Sequence, residues 1–331
     1  MERFALAAAV VLGFALTAAL CSLFVPLRRV LERREQQQQP VQSEQPRPAP
    51  LRAPLWGGLC AAAGTVAAVG VGWLAACVGQ PELLGSEGRL MTRLLTALAG
   101  SLAFGAVGFA EDLARMRSPA ALGLRRDLRL LLEALAAAFV LLLLRAAGCL
   151  PRGLGVPGAG YVLLSSAVPF LWAVLMVALA ECARIAERDE GAVCGAAFVA
   201  MLALMMVEAG LGVSGLAVLP AALAGALVAL GLWAFPPARL GAGCCGSLLA
   251  AGAIGCIPLS LDMTSLTVPL ALPFWAAGGL LAAQLLCAKR TGKPLRCWVK
   301  KHKMGPETVF LCSFALSAVG YVLALALLRW C

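Results

Sequence analysis

The chain is expected to fold as an all-α polytopic membrane protein, with about ten transmembrane helices and both termini outside. Three observations predict this. First, hydrophobic residues make up 61% of the 331 and charged residues 13%, with a mean hydropathy of +0.89. A soluble domain of this length cannot bury so much apolar surface, whereas a multi-span protein exposes it to lipid. Second, apolar windows of about 20 residues, the length that crosses a bilayer as a helix, recur along the chain. Third, basic residues gather in every second segment between those windows, which orients the whole.

The windows fall near residues 4–27, 55–78, 94–110, 128–147, 161–182, 192–212, 215–234, 246–262, 267–288 and 308–328. The first is too long for a signal-peptide core and lacks a basic start, so it reads as a retained span. The 192–234 and 246–288 pairs are the least sharply divided, because their loops are short. Gly and Ala are abundant within the spans, as where helices pack closely in lipid. Residues 1–331 form a single transmembrane domain. Within it, 28–54 is rich in Gln and Pro and is expected to be a flexible cytoplasmic linker between the first two spans. The thirteen cysteines lie mostly inside apolar runs. They lack metal-ligand spacing and read as small buried residues.

The segments 28–54, 111–133, 183–191, 235–245 and 289–307 hold 21 of the 27 Lys and Arg residues. That asymmetry places these five segments in the cytoplasm. The net charge of +10 is therefore juxtamembrane, suited to anionic lipid headgroups or an anionic substrate. Nucleic acid is excluded as a partner, because no soluble basic domain exists.

Each of the five segments carries a pattern. Pro54-Leu55-Trp56-Gly57-Gly58 opens the second span. A Pro–Gly helix start exposes backbone N–H groups to an anion, although an ordinary span entrance has the same punctuation. Next, Gly108-Phe109-Ala110-Glu111-Asp112-Leu113-Ala114-Arg115 is followed by Gly123-Leu124 and Arg129. A carboxylate pair ending a membrane-length apolar run is costly unless it has a task. Residues 111 and 115 share a helix face. Acid beside base at a membrane surface points to metal-assisted chemistry on a phosphate, or to its remnant. A capped positive-inside loop is the plainer alternative. The third pattern runs from Glu181-Cys182-Ala183-Arg184 through Glu187 and Glu190 to Gly191. The fourth is Phe235-Pro236-Pro237-Ala238-Arg239-Leu240-Gly241-Ala242-Gly243-Cys244-Cys245-Gly246-Ser247-Leu248. The fifth is Pro294-Leu295-Arg296-Cys297-Trp298-Val299-Lys300, then Met304-Gly305-Pro306-Glu307.

Together these patterns resemble the motifs of the bacterial phospho-N-acetylmuramoyl-pentapeptide transferases, within the polyprenyl-phosphate N-acetylhexosamine-1-phosphate transferase superfamily. The resemblance covers nearly the whole chain. It implies a ten-span enzyme of the bacterial plasma membrane that moves a sugar phosphate from a UDP-linked donor onto polyprenyl phosphate. The UDP-linked donor carries an N-acetylmuramoyl-peptide or an N-acetylhexosamine, the cofactor is Mg2+, and the product feeds cell-wall peptidoglycan. The resemblance further implies that Glu111 and Asp112 are catalytic. It places Arg115, Arg129, Arg184, Glu187, Glu190 and Arg296 on substrate phosphates, and Asp112 with the Cys244 position on the metal. Implied partners are the polyprenyl phosphate, a UDP-linked sugar, anionic lipids, and a second copy or an active homologue in an oligomer.

The polar positions depart from the family's letters. Glu111 stands for an Asp, and Arg115 and Arg129 for two Lys. Glu181 and Arg184 replace two Asn, so groups that both donate and accept give way to pure acceptors and pure donors. Glu187 and Glu190 replace two Asp. Cys244 replaces the metal Asp, and a thiol is a poor ligand for a hard cation. Adjacent Cys244 and Cys245 would instead suit a soft metal or oxidation, against simple small-residue packing. Arg296, Cys297 and Trp298 replace three His, and the one His of the chain, His302, lies downstream. Losing one positioned charge commonly costs about 10²–10³ in rate. Several losses together point to an inactive or redirected paralogue that binds the lipid or supports an active homologue. An active transferase with a changed site, and a transporter using an intramembrane carboxylate such as Glu208, are the competing readings.

Cysteine labelling or reporter fusions check the topology. Both termini are expected outside, and a cytoplasmic carboxyl terminus contradicts it.

Overall fold

The computed structural model describes residues 2–38, 56–79, 89–117, 123–151, 153–156, 160–163, 167–187, 191–213, 215–235, 239–291 and 306–330. In lipid a backbone must satisfy its own hydrogen bonds, so each apolar window becomes a helix. These are α1 (Glu2–Gln38), α2 (Gly57–Gly79), α3 (Arg89–Arg117), α4 (Arg126–Ala146), α5 (Ala167–Ala186) and α6 (Ala192–Gly210). They continue as α7 (Val218–Ala234), α8 (Gly243–Ser260), a short α9 (Thr267–Leu270), α10 (Leu272–Thr291) and α11 (Pro306–Trp330).

Seven of these helices are long and apolar enough to cross a membrane, or eight if α9 and α10 form one bent span. The protein is thus a polytopic membrane protein whose candidate spans are all helical, as expected. The two remaining expected windows are also helical. One is α7, which has 17 residues. The other is α4, whose sequence includes Arg129, Glu133 and Arg145.

Four boundaries differ from the sequence reading. α1 runs on to Gln38, so the start of the expected 28–54 linker is helical, and the rest lies outside the described residues. The fifth span begins at Ala167 rather than near 161, because Gly160–Leu163 pairs antiparallel with Gly153–Val156. Glycine-punctuated strands separated by three residues in the sequence favour such a pairing over a helix start. α8 starts earlier, at Gly243. The ninth window breaks at Ala271 with a bend of 63° between Thr264–Leu270 and Leu272–Ala283. Pro269 and Pro273 flank the break, and each lacks the N–H that would continue the ladder.

α8 is the axle of the bundle: every one of its residues is buried. α3 lies along it. A Cβ at Gly100 would stand 2.7 Å from Cys256 Sγ, and one at Gly108 would overlap the Cys244 carbonyl. On the other side α1 crosses α7, where a Cβ at Gly225 would overlap the Val10 carbonyl. Lipid offers no hydrophobic drive between helices, so this backbone-to-backbone fit carries the packing.

Gly225→Leu is expected to lower the melting temperature strongly in detergent, since overpacking costs about 1–3 kcal/mol even where neighbours can adjust. Gly70→Ala, where none of the described residues lies within 4 Å of the added Cβ, is expected to leave it unchanged. Thermal unfolding followed by size-exclusion chromatography checks both.

Candidate functional site

The site forms where the helix ends of several motifs meet at one end of the bundle. α3 delivers Glu111, Asp112 and Arg115 from its last turns. α4 delivers Arg129 from its first, and α5 delivers Glu181 and Arg184, with Glu187 just past its end. α8 brings Cys244 and Cys245 at its start.

Asp112 sets the geometry. The first N–H groups of a helix have no partner within it and carry a partial positive charge. α8 has no side-chain cap of its own. Asp112 provides one from α3: Cys244 N–H donates to Oδ1 at 3.0 Å and Cys245 N–H to Oδ2 at 2.9 Å. Gly243 takes φ +67, a backbone that glycine adopts without strain, directly before those two donors. The carboxylate is 1% exposed.

Around Asp112 the charges close on one another. Arg115 Nη2 donates to Glu111 Oε1 at 2.7 Å. Its Nη1 lies 3.3 Å from both Glu187 oxygens and 3.8 Å from Asp112 Oδ1. The Cys244 thiol donates to Glu187 Oε2 at 2.8 Å. A second set stands beside the first. Glu181 accepts from Arg129 Nε at 2.8 Å and from Arg184 Nη2 at 2.6 Å. Arg129 Nη1 reaches Glu111 Oε1 at 3.7 Å, which joins the two sets.

The motif glycines and aromatics hold these ends together. Gly57 N–H donates to the Gly241 carbonyl at 3.2 Å, linking the first and fourth motifs. The Trp56 ring stands 6.5 Å from Phe109 and 5.6 Å from Phe24. Gly123 takes φ +69, and a Cβ there would press on the Arg115 stem at 3.2 Å.

Of the residues singled out from the sequence, Glu111, Asp112, Arg115, Arg129, Arg184, Glu187 and Cys244 come together. Glu190 and Arg296, and His302 with most of the 289–303 cations, lie outside the described residues. Two residues escaped the sequence reading. Glu181 was noted only as a replaced amide, yet it is the shared acceptor of two arginines. Glu133 is fully buried, and neither of its oxygens has a hydrogen-bond partner among the described residues. It lies four residues from Arg129 on α4, and a carboxylate inside a span at that spacing was the available signal.

Asp112, Glu187 and Cys244 place one potential ligand atom each within 4.8 Å of one another. The donor set suits magnesium poorly. Each Asp112 oxygen accepts one N–H group and keeps one lone pair, and Cys244 contributes not an oxygen but a sulfur that is donating its proton to Glu187. Magnesium takes oxygen ligands in near-octahedral array.

The sequence profile of glycosyl transferase family 4 matches residues 94–262, just over half of the chain and all of the second, third and fourth motifs. The chain belongs to glycosyl transferase family 4. No curated protein matches it. The family comprises membrane transferases that move a sugar phosphate onto polyprenyl phosphate and are generally Mg2+-dependent. In this member the family's helix ends meet as the motif spacing requires, while the side chains there pair with each other.

Asp112→Ala would strand two buried N–H groups at the start of α8, each costing about 1–3 kcal/mol. It is expected to lower the melting temperature clearly, whereas Arg117→Ala, at an exposed position, is expected to leave it within error. Thermal unfolding of both variants beside the wild type is the check.

Proposed function

We propose that this chain is a member of glycosyl transferase family 4 that keeps the frame for a polyprenyl-phosphate headgroup and no longer transfers a sugar phosphate. The observation that carries this reading is Cys244 donating to Glu187 at 2.8 Å, a thiol where the family's metal site has a carboxylate, beside an Asp112 whose two oxygens each cap an N–H at the start of α8. A transferase needs positioned positive charge and metal to stabilise the phosphoryl group in transit. Here the acidic groups that would hold the metal serve the fold instead.

In this reading the frame is that of the phospho-N-acetylmuramoyl-pentapeptide transferases, set in a bacterial plasma membrane with both termini outside. The acidic and basic helix ends then face the cytoplasm, where UDP-linked sugars and anionic headgroups are found. Arg115, Arg129 and Arg184 are engaged by Glu111, Glu181 and Glu187, so in this reading the headgroup is drawn by the Lys and Arg residues of the 289–303 sequence. Arg296 and Glu190 are assigned to the substrate phosphates by the motif resemblance alone. The protein acts as a binding or regulatory partner in cell-wall precursor synthesis, as a second copy of itself or beside an active homologue.

A second reading, a transferase with an altered metal site, is favoured by the 4.8 Å clustering of Asp112, Glu187 and Cys244. In that case Glu111 and Asp112 retain catalytic roles. One assay separates the two.

Purified protein is given polyprenyl phosphate with UDP-N-acetylmuramoyl-pentapeptide or UDP-N-acetylhexosamine, and release of uridine monophosphate is measured beside binding of the lipid alone. Lipid binding without release is expected, and Cys244→Asp alone is expected not to restore release. Turnover at ordinary enzyme rates, about 1 per second or more, would overturn this reading.

A further inference from the structure

Glu111, Asp112 and Glu187 are held against one another at the ends of α3 and α5, with Glu111 2% and Asp112 1% exposed. Three carboxylates this close repel in a medium of low dielectric, and they stay together by gathering positive charge or by keeping a proton among them. The structure supplies that charge from within. The Arg115 guanidinium reaches all three: 2.7 Å to Glu111, 3.3 Å to Glu187 and 3.8 Å to Asp112. A planar guanidinium offers several fixed donors and suits such multiple pairing better than an ammonium.

The wider charge balance points the same way. Four carboxylates, Glu111, Asp112, Glu181 and Glu187, face the guanidiniums of Arg115, Arg129 and Arg184. The positive end of α8 faces Asp112 and offsets about half of the remaining charge. Apart from Glu133, which makes no hydrogen bond among the described residues, the set is close to neutral with no added cation. A dication among the Asp112, Glu187 and Cys244 atoms would also stand against the Arg115 Nη1 that touches the first two. Gly123 leaves room for Arg115 to lie there, since any Cβ would press on its stem.

We infer that Arg115 is the built-in counter-ion of this site and takes the place of the divalent cation used elsewhere in the family. The carboxylate cluster therefore stays assembled without metal. The inference deepens the reading of a site without transfer and rests on it, but the two fail separately.

The test uses the full chain in lipid nanodiscs, with Mn2+ as the probe and the electron paramagnetic resonance signal of free Mn2+ as the readout. Wild type is expected to remove no more Mn2+ than empty nanodiscs, and its melting temperature is expected to be the same in millimolar Mg2+ as in a chelator. Cys244→Asp alone is expected to change neither. Cys244→Asp combined with Arg115→Met is expected to take up one Mn2+ per chain. One-to-one uptake by wild type that Asp112→Asn abolishes overturns the inference. So does uptake by Cys244→Asp alone, or a folded double variant that takes up none. If the double variant does not fold, the wild-type and Cys244→Asp measurements decide. Uptake of Mn2+ by wild type without release of uridine monophosphate refutes the counter-ion and leaves the loss of transfer standing. Release in the presence of a chelator does the reverse.

Discussion

The structure depends on one contact, the Asp112 carboxylate against the first N–H groups of α8. α8 is buried along its whole length, so its amino-terminal donors have no water to turn to. A hydrogen bond from a neutral donor to a charged acceptor is worth about 1.5–3 kcal/mol net, and an unpaired buried donor costs a comparable amount. The contact therefore fixes the height of α3 against α8. Gly108, bare against the Cys244 carbonyl, lets the backbones come close enough to make it. Once that height is set, Arg115 and Glu111 project beside Glu187, and Cys244 meets Glu187 from the other side.

Much of this was legible in the sequence, for a physical reason. Lipid forces helices, so apolar windows translated almost directly into α1 to α11, and motif spacing placed residues 111, 112, 187 and 244 at a common end. The misses also have reasons. The Gly153–Leu163 hairpin hides because glycine and alternating apolar residues also fit a span entrance. The length of α1 hides because its Gln-rich end, read as linker, also forms helix well. Spacing says which residues meet but not which partner satisfies each. The arginines assigned to phosphate turn out to be held by Glu111, Glu181 and Glu187. Glu181 looked like a lost amide and Glu133 like nothing at all, because the partners of Glu181 include one on another helix and Glu133 has no hydrogen-bond partner among the described residues.

The contrast between frame and chemistry follows from what each position must satisfy. Gly108, Gly225 and Gly57 touch backbone, where any side chain collides, so their identity is fixed by shape. The polar positions need only a balanced sum of charge. Glu for Asp, Arg for Lys and Cys for the metal Asp are tolerable together if the acids and bases pair internally, as Glu181 does with Arg129 and Arg184. Belonging to a family by its frame thus leaves the reaction to be decided at the site itself.

The most direct test of this account is an experimental structure determined in the presence of Mn2+, with data collected at its absorption edge. The account predicts no anomalous peak among Asp112, Glu187 and Cys244, with guanidinium density of Arg115 lying against the carboxylates. An anomalous peak bonded to Asp112, with Arg115 turned away, would contradict it.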